Sequence, residues 1–103
     1  MITIICNFSL RSDLTPEQAG QEMQKTIQVY KGRPGLIRKY ICVNFEEQYG
    51  CGICLWEDRQ SADVYFADAL PIMREQFGSE PEVTHFATPL VLDNVTGDAQ
   101  IGP

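Results

Sequence analysis

Four cysteines, one histidine and one tryptophan carry the most distinctive chemistry in this chain. Cys51-Gly52-Ile53-Cys54 spells a C-x-x-C. As a redox pair it would open a helix, whose N-terminal dipole lowers a thiol pKa. Its neighbours alternate instead as a strand, where positions three apart point to opposite faces. A zinc site would need Cys6 and Cys42 to converge on the same pair, and the same alternation opposes it. The reading left for the cysteines is free thiols packed as small hydrophobes in a reducing compartment. His85 is the one side chain that titrates near neutral pH by default, which makes it the first candidate for a proton acceptor. There is no phosphate loop and no H-E-x-x-H, and no metal site is expected from these residues.

The chain has 103 residues, 44% hydrophobic and 21% charged. That is an ordinary globular balance and the length of one domain. Eight basic against fourteen acidic residues give a net charge of −6. Nucleic-acid surfaces need clustered Lys and Arg, and anionic membranes attract the same residues, so neither is an expected partner. No run approaches the roughly 20 apolar residues of a membrane span. The opening Met1 to Leu10 has no basic region or cleavage site of the kind that directs export, so a cytoplasmic location is expected.

These residues are positioned by a short series of elements. Ile2 to Leu10 reads as a strand, with Ile2, Ile4, Cys6, Phe8 and Leu10 on one face and Thr3, Ile5, Asn7 and Ser9 on the other. Thr15-Pro16-Glu17-Gln18 starts a helix, with Thr15 as N-cap and Gln18 completing a capping box. Ala19, Met23, Ile27 and Tyr30 form its apolar stripe, and Gly32-Arg33-Pro34-Gly35 ends it. Leu36 to Glu47 reads as a second strand. Ile37, Lys39, Ile41, Val43 and Phe45 share one face of it, and Leu36, Arg38, Tyr40, Cys42 and Asn44 the other. A polar hairpin loop, Glu46 to Gly50, leads to a third strand, Cys51 to Glu57.

A second helix is capped by Asp58, with Ala62, Phe66, Ala69 and Met73 as its stripe, Pro71 as a kink or stop and Gly78 as C-cap. Val83 to Thr88 is a fourth strand. The order predicts one ferredoxin-like α+β domain, βαββαβ, with an antiparallel sheet and both helices on one face. Residues 1–88 form its core, and residues 89–103 form a tail docking on the core or on a partner subunit. The face carrying Ile37, Ile41, Val43 and Phe45 is too apolar to leave in water, which predicts a homodimer packed sheet to sheet.

Three features carry a resemblance. Asn7 lies on the first strand, Pro34-Gly35-Leu36 turns into the second, and Leu55-Trp56-Glu57-Asp58 ends the third before an acidic cap. With them the chain resembles the dimeric α+β barrel superfamily. Gly35-Leu36-Ile37-Arg38-Lys39, the strand from Gly50 to Leu55, and Ser61-Ala62 followed by Tyr65 are most similar to its small YdhR-like monooxygenases, beside the antibiotic-biosynthesis monooxygenases. The similarity covers roughly Met1 to Thr88. It implies a homodimer with a pocket in each protomer between sheet and helices. Some relatives oxidise phenols with O2 and no metal or flavin. Others degrade haem, with an Asn on strand one, a Trp ending strand three and a His on the second helix. Asn7 and Trp56 match the first two positions, but no histidine stands on the second helix here, so haem degradation is not expected.

The function this implies is a cofactor-independent monooxygenase acting on a small apolar or aromatic compound, phenol- or quinol-like. Such chemistry needs a water-poor pocket, a polar group at the phenolate and a proton acceptor. Asn7, Trp56 and His85 are the expected catalytic residues, with Tyr40, Tyr65, Phe66 and Arg38 expected to bind substrate. Each has a plainer reading: Asn7 and His85 as solvated strand residues, Trp56 as a core anchor, Arg38-Lys39 as a solvated rim. The alternative function is a non-catalytic ligand-binding or stress-associated homodimer using the same pocket.

Overall fold

The computed structural model describes residues 1–77 and 80–102. Strand β1 (Ile2–Ser9) is followed by helix α1 (Pro16–Tyr30) and by strands β2 (Leu36–Asn44) and β3 (Tyr49–Trp56). Helix α2 (Arg59–Phe77) and strand β4 (Glu82–Ala87) complete the ferredoxin-like α+β unit. The four strands form an antiparallel sheet in the order β2-β3-β1-β4.

Helix α1 begins where its capping residues dictate. The Thr15 hydroxyl accepts from the Gln18 amide at 3.2 Å, and the Gln18 side chain accepts in return from the Thr15 amide at 3.1 Å. Asp58 caps α2 in the same way, accepting from the Ser61 amide at 2.7 Å, and that bond holds its carboxyl below the usual carboxylate range. Pro71 was expected to kink or stop α2, but the helix continues through it to Phe77. Gly78, the expected C-cap, lies outside the described residues. Strand β2 stops at Asn44 rather than Glu47, because the Asn44 side chain accepts from the Glu47 amide at 3.0 Å and starts the turn.

The register sorts every strand residue onto one of two faces. Ile4 pairs with Cys54, and Cys54 with Lys39; Cys6 pairs with Gly52, and Gly52 with Ile41. These residues face the helices. The opposite face carries Ile5, Asn7, Tyr40, Cys42, Cys51, Ile53 and Phe86. This corrects the face expected to be bare. Ile41 and Val43 lie under the helices, Ile37 sits in a β-bulge between Leu36 and Arg38 that breaks the alternation, and Phe45 belongs to the turn. Both faces of β2 alternate apolar residues, so that strand alone does not decide which is covered; its pairing through β3 to Ile4 does.

The tail forms a hairpin of its own, β5 (Leu90–Asp93) and β6 (Asp98–Ile101), closed by Gly97 at a φ of 79°. Strands were not read here from the sequence. The Asp93 side chain accepts from the Val95 amide at 2.9 Å and begins the turn. The hairpin is fastened to the sheet by an ion pair from Arg38 to Asp93, while Leu90, Leu92, Val95 and Ile101 stay exposed.

Gly35 joins the layers. It sits at a φ of 79°, its carbonyl accepts from the Glu57 amide at 2.8 Å, and a Cβ built on it would lie 2.4 Å from Ser61 Cβ. Gly35→Ala is therefore expected to cost roughly 2 kcal/mol or more, with a fall of about 10 °C in Tm by calorimetry. Gly32 has a similar φ of 74° but open space where a Cβ would go. Gly32→Ala is expected to cost only about 1 kcal/mol. Equal losses in the two variants would show that backbone conformation, not the contact with Ser61, governs Gly35.

Candidate functional site

The helix side of the sheet is filled unevenly. Over β1 and the end of β3, side chains from α2 close the space: Ile4, Cys54, Trp56, Ala62, Tyr65 and Phe66 form the buried core. Tyr65 lies at its centre, with ring centroids 5.5 Å from Trp56, 5.0 Å from Phe66 and 5.5 Å from Tyr30. Its hydroxyl donates to that of Tyr30, and the Arg33 guanidinium stands 5.0 Å from its ring centroid. Burial pushes the Tyr65 hydroxyl pKa far up, and the bond to Tyr30 adds to the effect.

Over β2 the packing opens. On the helix-facing side of β3, Gly50 and Gly52 carry no side chain of their own. Phe8 leans over Gly50, and a Cβ on Gly50 would meet its ring at 2.9 Å. Helix α1 stands off the rest, leaving a groove of about 530 Å³ between α1 and β2. That is a size suited to a small organic ligand. Met23, Ile27, Tyr30, Leu36 and Ile41 supply apolar walls, and Lys39 reaches in from the sheet. Ile27, part of the apolar stripe, is 54% exposed because it faces this groove rather than a core.

Lys39 was read from the sequence as part of a solvated rim. The register brings it inside: its Nζ lies 4.2 Å from the Tyr30 ring centroid and donates to Cys54 Sγ at 3.3 Å. The clue was present, since Lys39 alternates with Ile37 and Ile41 on one strand face. Tyr30 was likewise placed on the helical stripe with no role assigned to it.

The expected catalytic residues do not share a cavity. Asn7 pairs with Cys51, whereas Trp56 pairs with Ile2. Five residue steps along β1 take the chain from Ile2 to Asn7, about 17 Å, and Asn7 lies on the opposite face from Trp56. Asn7 borders a separate hollow of about 350 Å³ with Tyr49, Glu80 and Glu82. His85 pairs with Ile4 on the outer strand β4, is exposed, and sits across the full width of the sheet from the groove.

Among the expected substrate-binding residues, Tyr65 and Phe66 belong to the core beside the groove, behind Tyr30. Tyr40 is exposed on the far face. The Arg38 guanidinium is held by Asp93, which is pulled below the usual carboxylate range by that pair. The C-x-x-C thiols part as strand alternation requires, Cys54 toward the helices and Cys51 away. Burial raises both thiol pKa values, the reverse of an activated redox pair. Among the described residues no group of three His, Cys, Asp or Glu side chains is placed to hold a metal ion, and no helix is long and apolar enough to cross a membrane.

With this geometry the chain superposes on solved structures over most of its length. A mutant form of SnoaB, a cofactor-independent oxygenase from Streptomyces nogalater, matches with a TM-score of 0.65 at 16% identity, covering 90% of this chain and 97% of that one. Rv0793 from Mycobacterium tuberculosis matches with a TM-score of 0.64 at 16% identity, covering 90% and 96%. An antibiotic biosynthesis monooxygenase matches with a TM-score of 0.61 at 14% identity, covering 85% and 98%. The chain shares the ferredoxin-like α+β fold of these structures. No protein-family model and no curated protein matches the sequence.

Trp56 is fully buried, and its indole Nε1–H has no hydrogen-bond partner among the described residues. Trp56→Ala should cost about 3–5 kcal/mol by denaturant unfolding. Trp56→Phe should cost less than half of that, because the N–H it deletes makes no bond. If Trp56→Phe proves as damaging as Trp56→Ala, the indole N–H has a partner and Trp56 is more than a core anchor.

Proposed function

We propose that the chain is a cofactor-independent monooxygenase acting on a small phenol- or quinol-like compound bound in the groove between α1 and β2. The observation that carries this reading is the groove itself. It opens between sheet and helix, where the resemblance implies a pocket, and its apolar walls end in the Tyr30 ring and one lysine ammonium. The fold shared with SnoaB, described as a cofactor-independent oxygenase, supports the same class. For a phenol with a free para position, the reaction with O2 gives a quinone and water. One oxygen atom becomes the new carbonyl, and the other leaves as water with the hydroxyl and ring hydrogens. The substrate supplies the electrons, so the protein's work is to bind the ring, exclude water and favour the phenolate.

An O2-electrode assay over naphthols and quinols, with no metal or flavin added, tests this. Wild type should consume O2 with at least one of them. Ile41→Trp, which fills the groove, should lower kcat/KM at least about tenfold without lowering Tm. Asn7→Ala and His85→Ala should stay within about twofold of wild type, since neither residue lines the groove. An active Ile41→Trp would move the chemistry elsewhere. One observation favours a second reading, a ligand-binding protein without turnover: among the described residues no imidazole or carboxylate lines the groove. That reading gains if naphthols bind and no O2 is consumed.

The same proposal includes a homodimer. Its support is the uncovered sheet face, where Tyr40 and Phe86 are each about half exposed beside Ile5 and Ile53, and the adjoining hairpin with Leu90, Leu92 and Ile101 in water. Sedimentation velocity at micromolar concentration should give twice the 11.6 kDa chain mass, and Ile53→Lys should shift it toward one chain. A wild type that sediments as a single chain would remove the dimer from the proposal.

A further inference from the structure

The charges around the groove are one-sided. The protein carries fourteen acidic residues against eight basic ones. Yet among the described residues the charged side chains lining the groove are Lys31, Arg38 and Lys39, and none is acidic. Arg38 is neutralised by Asp93, and Lys31 lies exposed at the rim. Lys39 differs from both. It is half-buried, and the contacts the structure gives its ammonium are a thiol and an aromatic face. Arg11, Arg38, Arg59 and Arg74 each meet a carboxylate, but no ion pair forms at Lys39 among the described residues.

The backbone beneath Lys39 is shaped for it. A Cβ on Gly52 would come within 3.0 Å of the ammonium, so the missing side chain leaves the space in which Nζ sits. A partly desolvated cation without a counter-ion is unfavourable until an anion joins it. The Tyr30 ring offsets this in part through its negative face. Beside the ammonium lie the apolar walls of Ile27, Leu36 and Ile41, which suit a flat ring carrying the anion.

We infer that Lys39 is an anion-binding residue, and that the groove takes aromatic compounds through an ionised ring-borne oxygen, phenolate or carboxylate, held at Nζ. The inference rests on the groove assigned under the proposed function but not on its oxygen chemistry. It names the substrate class that this chemistry would use: compounds already ionised, or readily ionised, at one oxygen. Tyr30 and Gly52 are positioning residues, the first holding the ammonium against its ring and the second leaving it room.

Titration calorimetry with three probes tests it: 2-naphthoate, 4-nitrophenolate and the neutral naphthalene-2-methanol. Wild type should bind at least one anion about tenfold or more tightly than the neutral probe, as a charge-assisted hydrogen bond gives. A preference confined to naphthoate marks an aromatic acid as the ligand, and one confined to nitrophenolate marks a phenol. Lys39→Met, which keeps an unbranched stem, should abolish the preference while leaving affinity for the neutral probe within about twofold. Lys39→Arg should restore part of it. Equal affinity for anionic and neutral probes in wild type, or no binding of either anion, overturns the inference on the unmodified protein, whatever the variants do. Undiminished anion binding by Lys39→Met also overturns it. The oxygenase reading fails separately: anion preference without O2 consumption leaves Lys39 in place, and O2 consumption without the preference removes Lys39 alone.

Discussion

Across the middle of the sheet runs a row of three residues, Ile4, Cys54 and Lys39, paired through β1, β3 and β2. Because side chains alternate along a strand, this one register decides the face of the other residues of the four-stranded sheet outside the bulge at Ile37. It sends Trp56 into the core and Asn7 to the opposite surface, and it carries Lys39 under a helix. A slip of one residue in the β2 pairing would return Lys39 to solvent and bring Tyr40 and Cys42 beneath α1. The hydrophobic core supports the observed pairing, since Ile4 is fully buried and Cys54 nearly so against Trp56 and Tyr65.

The two helices then do different work. Helix α2 carries Ala62, Tyr65 and Phe66 onto the sheet and closes it. Helix α1 carries Met23, Ile27 and Tyr30 toward β2, where a groove stays open. An apolar stripe facing a gap is a poor stabiliser, because its surface is only partly removed from water. The fold thus gives up packing on one side and retains a ligand-sized space. Tyr30 joins the two halves: its hydroxyl accepts from the buried Tyr65, and its ring borders the groove.

The helix starts and the strand order were legible in the chain. Thr15-Pro16-Glu17-Gln18 and Asp58 act through local bonds, which local sequence encodes completely. The ferredoxin-like topology followed from element order alone. Which face of β2 meets the helices did not, because that strand is apolar on both sides and the decision lies in a long-range register. The site suffered for the same reason. Asn7 and Trp56 were expected in one catalytic set, yet five residue steps along β1 and opposite faces of the sheet separate them. Lys39 looked like half of an exposed basic pair until its alternation with Ile37 and Ile41 was joined to the pairing partner Cys54. The tail hairpin was missed because Asp93 to Asp98 reads as scattered turn residues until Leu90–Asp93 and Asp98–Ile101 are seen to pair.

Trp56 also gives the molecule a built-in optical label. It is the one indole in the chain and has no contact with solvent. Its light emission belongs to a single environment, the seam where α2 meets the sheet, and excitation absorbed by Tyr65 and Tyr30 has a short path to reach it. Emission colour therefore registers whether that seam is intact. A molecule entering beside Tyr30 touches the outer end of this relay, so its arrival would alter the transfer of energy along the rings while the colour held steady.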